Sequence, residues 1–194
     1  MQNLLRTRQS LIKKYSFEEY DPIYHELFKK EQQRILTILA DIKINIYHIG
    51  STAIPGVGGK GVIDIAITSN LADHKQITAR LLKLGYEFRK SGGDKNRKFH
   101  QREFKGRRYH VHLSEFKNIN AQRAIAFRDF LRNNPQLAKE YSDIKKQAAK
   151  QALKMSTKDE MKLVYAQVKA PVIDKIQVQL DGYIKKCGSV YQDI

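Results

Sequence analysis

A chain of 194 residues with 41% apolar and 29% charged side chains is long and apolar enough to bury a core, which excludes a disordered polypeptide. No apolar run approaches the roughly 20 residues of a membrane helix, and the first residues, with Leu4, Leu5, Arg6 and Arg8, lack the apolar stretch of a secretory signal. The 36 Lys and Arg against 20 Asp and Glu leave a net charge of +16, divided +7 and +9 about residue 100, so the excess is no basic tail.

The lone cysteine, Cys187, closes no intrachain disulfide and builds no thiolate zinc site, so a reducing, cytoplasmic setting is expected. The sharpest basic excess lies in residues 89–108, where nine Lys or Arg face only Asp94 and Glu103. A surplus of that size attracts phosphate-rich partners, whether nucleic acid, a nucleotide or a coenzyme. The alternative is a solvated basic surface that keeps the chain soluble.

In chain order, Asp21-Pro22 opens a helix with proline at its first position, followed by the stripe Ile23, Leu27, Ile35, Ile38 and Leu39. The β-branched run Ile44–Ile49 predicts a strand. Residues 50–61 form a loop that holds five of the eleven glycines, and residues 62–68 form a second strand. A helix over 72–84 ends at Gly85. Residues 86–113 read as strands, with Arg97–Phe104 and 107–113 joined by Lys105-Gly106 as a two-residue hairpin turn. From residue 118 the pattern is helical. Asn134-Pro135 supplies an N-cap and first helical residue, and Thr157 with Glu160 forms a capping box. The last helix carries Met161, Val164, Val168, Val172, Ile176, Leu180 and Ile184 on one face, with Pro171 expected to kink or divide it. The expected fold class is α+β, a mixed sheet with flanking helices and a helical C-terminal third. We expect one domain over 1–194, with a core of about 20–117 and an extension of about 118–194 packed on it.

The glycine loop resembles two phosphate motifs and fits neither. Gly56-x-Gly58-x-x-Gly61 precedes a strand, whereas the dinucleotide fingerprint follows a strand and opens a helix. Gly59-Lys60 lacks the Ser or Thr of a P-loop, and Ile54 stands where its first glycine belongs. What survives is a strand, Gly50-Ser51, twelve residues, and Asp64 inside an apolar strand. Gly50 lets backbone amides approach a phosphate, and the Ser51 hydroxyl and the Thr52 amide donate to it. Asp64, flanked by Val62, Ile63, Ile65 and Ile67, needs either a metal or a strong hydrogen-bond network.

This order resembles the nucleotidyltransferase pattern of a glycine-serine turn followed by paired carboxylates on a strand, with Ala66 where the second carboxylate belongs. More narrowly, His48-Ile49-Gly50-Ser51-Thr52-Ala53-Ile54-Pro55-Gly56 followed by Lys60 and Val62-Ile63-Asp64-Ile65 is similar to the GrpB family. Tyr20-Asp21-Pro22, Leu84-Gly85-Tyr86, residues 109–113, residues 126–132, residues 141–146 and the pair Tyr165 and Lys169 extend the likeness. Gly59 and Gly61 depart from the family's Ala and Pro.

The resemblance implies a nucleotidyltransferase-like fold that binds a nucleotide or nucleotide-bearing coenzyme and transfers a nucleotidyl group to a hydroxyl or phosphate acceptor. Asp64 would hold a Mg²⁺. The alternative is a non-catalytic binder of nucleotide or RNA on a degenerate version of that fold.

His110 and His112 alternate on a strand and share a face, and His48 precedes the loop. They either ligate a metal and act as a base beside Asp64, or shape the sheet face by hydrogen bonding. Lys60 is expected to reach the phosphate, with Arg128 as a further phosphate ligand or a partner of Asp129. His25, His74 and His100 are expected at the surface, as are Lys146, Lys150 and Lys154 along one helix face.

Overall fold

The computed structural model describes Ile12 and residues 15–187. Five helices and five strands carry the fold: α1 (Ile23–Ile38), β1 (Ile44–Ile49), β2 (Val62–Ser69), α2 (His74–Lys83), β3 (Glu87–Phe88), β4 (Arg97–Phe104), β5 (Arg107–Glu115), α3 (Ile119–Arg132), α4 (Pro135–Ala152) and α5 (Lys158–Cys187). The sheet is mixed, in the order β1-β2-β5-β4-β3. β2 and β5 run parallel, and the other neighbouring pairs run antiparallel. This is the expected α+β architecture with a helical C-terminal third.

Alternation along the strands divides the sheet into two unlike faces. Ile63, Ile65 and Ile67 of β2, with Val111 and Leu113 of β5, point toward α1 and α2 and pack on Tyr24, Phe28, Ile35, Leu39, Ile77 and Leu81. The opposite face carries Asp64 and Ala66 of β2 and His110 and His112 of β5. The parallel register sets Asp64 beside His110 and Ala66 beside His112.

Across the apolar face runs one buried ion pair. Glu31 of α1 accepts from Arg102 of β4 at 2.9 and 3.0 Å and from the Tyr86 hydroxyl at 3.0 Å. The side chains of Glu31 and Arg102 are only 5% and 8% exposed, so the three groups satisfy each other almost without water.

The β4–β5 turn is as expected, with Lys105 and Gly106 both at positive φ (48° and 75°), the signature of a type I′ hairpin. Glu160 accepts from the Thr157 amide at 2.9 Å and donates its own amide to the Thr157 hydroxyl at 3.2 Å, completing the capping box. Other expectations shift. Pro22 stands one residue before the start of α1, already in helical conformation (φ −54°, ψ −23°), and the Asp21 carboxylate caps it by accepting from the Ile23 amide at 2.9 Å. Ile23 lies on the exposed side. The helix after β2 starts with a 3₁₀ turn, Leu71–Asp73, and becomes α-helical only from His74. Pro171 does not divide α5, which continues through it. The residues beyond it, Val172 and Ile176, are held in a cluster with Leu137 and Ala138 of α4, so packing outweighs the missing backbone donor.

His74 and His100, expected at the surface, are buried. His100 sits beneath α2 with Nε2 3.2 Å from the Thr78 hydroxyl, and burial holds its pKa down to about 4. His25 is exposed as expected.

Candidate functional site

The glycine loop is the hinge between the sheet and the helical third. Ile54 and Val57 at its far side are fully buried with Leu131, Leu137 and Ile176, and the Gly58 amide donates to the Ser142 hydroxyl of α4 at 3.0 Å. The C-terminal helices are therefore clamped onto the loop. A cavity of about 260 Å³ remains between them and the polar sheet face. Gly50, Ser51 and Lys60 of the loop, Asp64 of β2 and His110 of β5 form one wall. Tyr141 and Lys145 of α4 with Tyr165 and Lys169 of α5 form the other.

Asp64 sits at the base. Its Oδ1 lies 3.3 Å from His110 Nδ1 and 3.4 Å from His112 Nε2. Burial pushes its carboxyl upward, but the two histidine hydrogen bonds outweigh that and hold it well below the usual carboxylate range. Gly50 makes this approach possible. Its φ is +72°, and a Cβ there would lie 2.6 Å from Asp64 Oδ2. Gly50→Ala is expected to lower stability by about 2 kcal/mol, the left-handed penalty plus displacement of the carboxylate, as measured by urea unfolding.

Lys145 is the unexpected member. Its side chain is 4% exposed, yet no carboxylate lies within ion-pair distance of it among the described residues. Gly59 makes room for it, because a Cβ there would stand 2.3 Å from Lys145 Nζ and 2.9 Å from Ser51 Oγ. Burial, joined by the charges of Lys169 and Lys60 and opposed by Asp64, holds the Lys145 pKa down to about 7. Lys60 lies over the rings of Tyr15 and Tyr165 at 4.2 and 3.9 Å, and Lys169 over Tyr165 at 4.5 Å. Burial also depresses Lys169. Three lysines thus crowd one space beside the Ser51 hydroxyl.

The structure brings Gly50, Ser51, Lys60, Asp64 and His110 into one cavity, with His112 reaching Asp64 from the side. It takes three other expected ligands elsewhere. His48 lies behind the loop, stacked on Phe28 at 4.5 Å with Nε2 3.0 Å from the Thr52 hydroxyl. Thr52 donates to the Val62 carbonyl at 2.8 Å, so it accepts from His48, which must carry its hydrogen on Nε2. Burial holds the His48 pKa down to about 4, which keeps the ring neutral. Arg128 pairs with Asp129 at 2.7 Å and donates to the His48 carbonyl at 2.8 Å. His48, Thr52 and Arg128 support the loop from behind, and their side chains are not part of the cavity wall.

Lys145, Tyr141, Tyr165 and Lys169 were not read as a site from the sequence. One signal for Lys145 was available. It falls on the stripe Leu137, Ala138, Ser142, Ala148, Ala149 and Ala152, a charge on the buried face of an amphipathic helix. Lys146, its neighbour, is half-exposed and pairs with Glu19 at 2.6 Å.

The basic excess of 89–108 is dispersed in the fold. Arg102 pairs with Glu31 and Arg107 with Glu18 at 2.5 Å, while Arg108 donates to the Lys60 carbonyl at 2.9 Å.

The GrpB protein family matches residues 14–179. The chain belongs to the GrpB family. It is 35% identical over 133 residues to the UPF0157 protein YqkA of Bacillus subtilis, an alignment covering 68% of this chain and 39% of YqkA. The chain thus spans well under half the length of that relative. The crystal structure of GrpB from Enterococcus faecalis superposes with a TM-score of 0.66 at 30% identity, over 82% of this chain and 98% of that one. A distant structural similarity, with a TM-score of 0.47 and 11% identity, extends to the Cid1 poly(U) polymerase over 79% of this chain and 46% of that chain.

In this GrpB chain the donor set does not make a resident Mg²⁺ site. Asp64 is the one carboxylate on the cavity wall among the described residues, and its Oδ1 already faces two ring nitrogens. Ala66 offers no oxygen, three ammonium groups share the space, and Mg²⁺ demands near-octahedral oxygen ligation. No group of three or more His, Cys, Asp or Glu among the described residues is arranged to hold a metal. No helix among them is long and apolar enough to cross a membrane.

Proposed function

We propose that the cavity binds the phosphate chain of a nucleotide or nucleotide-bearing coenzyme. The observation that carries this reading is Lys145, a buried ammonium without a carboxylate partner, gathered with Lys60 and Lys169 beside Ser51. A buried cation is costly unless an anion compensates it. A phosphate chain does so with charge-assisted hydrogen bonds, and the tyrosine rings of α4 and α5 supply an apolar wall for the remainder of the ligand. The finer reading is nucleotidyl transfer. Asp64 and His110, hydrogen-bonded to each other, sit where they can take the proton of an attacking hydroxyl. Because several arginines of 89–108 spend their charge on Glu31, Glu18 and a carbonyl, a small ligand in the cavity is favoured over an RNA strand along that segment.

The test is a thermal-shift panel of nucleotides and coenzyme A derivatives, followed by titration calorimetry of any binder between pH 7 and 9. With its ligand-free pKa near 7, Lys145 is largely neutral at pH 8, and a bound phosphate recharges it. Binding at pH 8 is therefore expected to take up about one proton, and affinity to fall by up to about tenfold per pH unit above 7. Failure of the whole panel to raise the melting temperature overturns the reading. Binding without proton uptake removes Lys145 from it.

A further inference from the structure

A second, smaller cavity of about 60 Å³ lies on the same sheet face, beneath the start of α3. Three polar atoms on its wall are buried and make no hydrogen bond: Arg97 Nε of β4, and His112 Nδ1 and Ser114 Oγ of β5. Ser114 is 2% exposed. Buried polar groups are almost always satisfied, so three orphans around one space mean that the space has an occupant.

We propose that this cavity is an oxyanion site, sized for one free phosphate or a similar small ion. Its volume exceeds the roughly 10–15 Å³ needed by a single water and is far below that of the main cavity. The chemistry selects an anion. Arg97 brings a guanidinium whose Nη2 is taken by the Gly92 carbonyl at 3.2 Å and whose Nε is in an ion pair with Asp94 at 3.6 Å but makes no hydrogen bond. Ser114 brings a hydroxyl free to rotate toward the ion. The residues of α3 on the wall, Asn120, Ala121 and Ala124, carry no charge that would repel it.

The site is coupled to the main cavity through one ring. His112 Nε2 faces the Asp64 carboxylate, which only accepts, so that nitrogen carries a hydrogen. Nδ1 is thereby left as an acceptor, to which the P–OH of a hydrogen phosphate ion can donate. The groups facing this ring are Asp64 from β2 and Phe99 and Arg97 from β4.

The experiment uses the full chain carrying Lys145→Met, which disables the main cavity, with inorganic phosphate at low millimolar concentration and chloride at matched ionic strength as control. The melting temperature is expected to rise by about 2–4 °C with phosphate, and the ¹⁵N resonance of His112 Nδ1 to shift as it accepts a hydrogen bond. Adding Arg97→Gln or Ser114→Ala should abolish both responses while the far-ultraviolet circular dichroism stays unchanged. Loss of the phosphate response in Lys145→Met alone, or its persistence in Arg97→Gln, overturns the proposal. Because the main cavity is already disabled, neither result depends on whether that cavity binds a nucleotide.

Discussion

Lys145→Met is expected to give a protein that is more stable and binds a nucleotide in the main cavity far more weakly. Methionine fills the same buried volume without a charge, and an uncompensated buried cation costs on the order of 1–3 kcal/mol. At pH 7 the melting temperature of the ligand-free variant should exceed that of the parent by about 3–6 °C. Affinity for a nucleotide should fall by about ten- to a hundredfold, the worth of one hydrogen bond to a charged group. The pH dependence has a definite sign. Between about 7 and the unfolded value of 10.5 the unfolded chain binds more protons than the folded one. The parent therefore gains stability as pH rises through that window, and Lys145→Met loses this gain. A variant less stable than the parent at every pH would show that Lys145 is paired in the folded protein, and the phosphate reading would lose its support.

Glu31→Ala is expected to destabilise the fold by about 3–5 kcal/mol, the usual effect of removing one partner from a buried ion pair. Arg102 would be left as a nearly dry guanidinium, and the Tyr86 hydroxyl would lose its acceptor. The double substitution Glu31→Leu with Arg102→Met should recover much of that loss, because it leaves no unpaired charge behind. Urea unfolding of the three proteins measures both effects, and the main cavity, on the opposite face of the sheet, should bind its ligand unchanged. Additive losses in the double variant would mean that the pair contributes nothing as a pair.

The arrangement of charge explains why these two substitutions act in opposite directions. Glu31 is the centre of a closed set, accepting from Arg102, Arg34 and the Tyr86 hydroxyl. Lys145 is an open one, with the Tyr141 ring 5.0 Å away but no carboxylate in ion-pair contact, so that a ligand can remove much of its burial cost. Stability held below its maximum at a binding site is the usual signature of function. Among the described residues, Lys145 is where this fold shows it most plainly.

Local chemistry carried far into the structure. The Lys105-Gly106 turn, the Thr157 and Glu160 capping box and the strand Ile44–Ile49 all stand where their residue types require, because each is settled by contacts within a few positions. The burial of Asp64 in an apolar strand also signalled correctly that it needed partners, and strand alternation put His110 and His112 on one face. Where only local signals were used, long-range packing corrected them. His74 and His100 looked like surface residues because no periodicity marks them, yet tertiary packing buries both. His48 and Thr52 were read as ligands for their nearness to the loop in sequence, and Arg128 as a ligand or a partner of Asp129. The side chains turn inward because the loop's own backbone and side-chain groups need partners there.

From the sequence by itself come the family resemblance, the mixed α+β class, the order of its elements, and one wall of the cavity: Gly50, Ser51, Lys60, Asp64 and His110. The first four of these residues follow from spacing within a strand or across one loop, distances over which covalent geometry leaves little choice, and His110 joined them through the resemblance to the nucleotidyltransferase fold. The opposite wall was decided only by tertiary structure. Lys145 and Lys169 lie 94 and 118 residues beyond Ser51 in the chain, on helices whose rotation is set by packing against Ile54, Val57 and the Tyr15 cluster. The apolar stripe of α4 marks residue 145 as facing inward and 146 as facing out, but no local pattern states which distant loop that inward face meets.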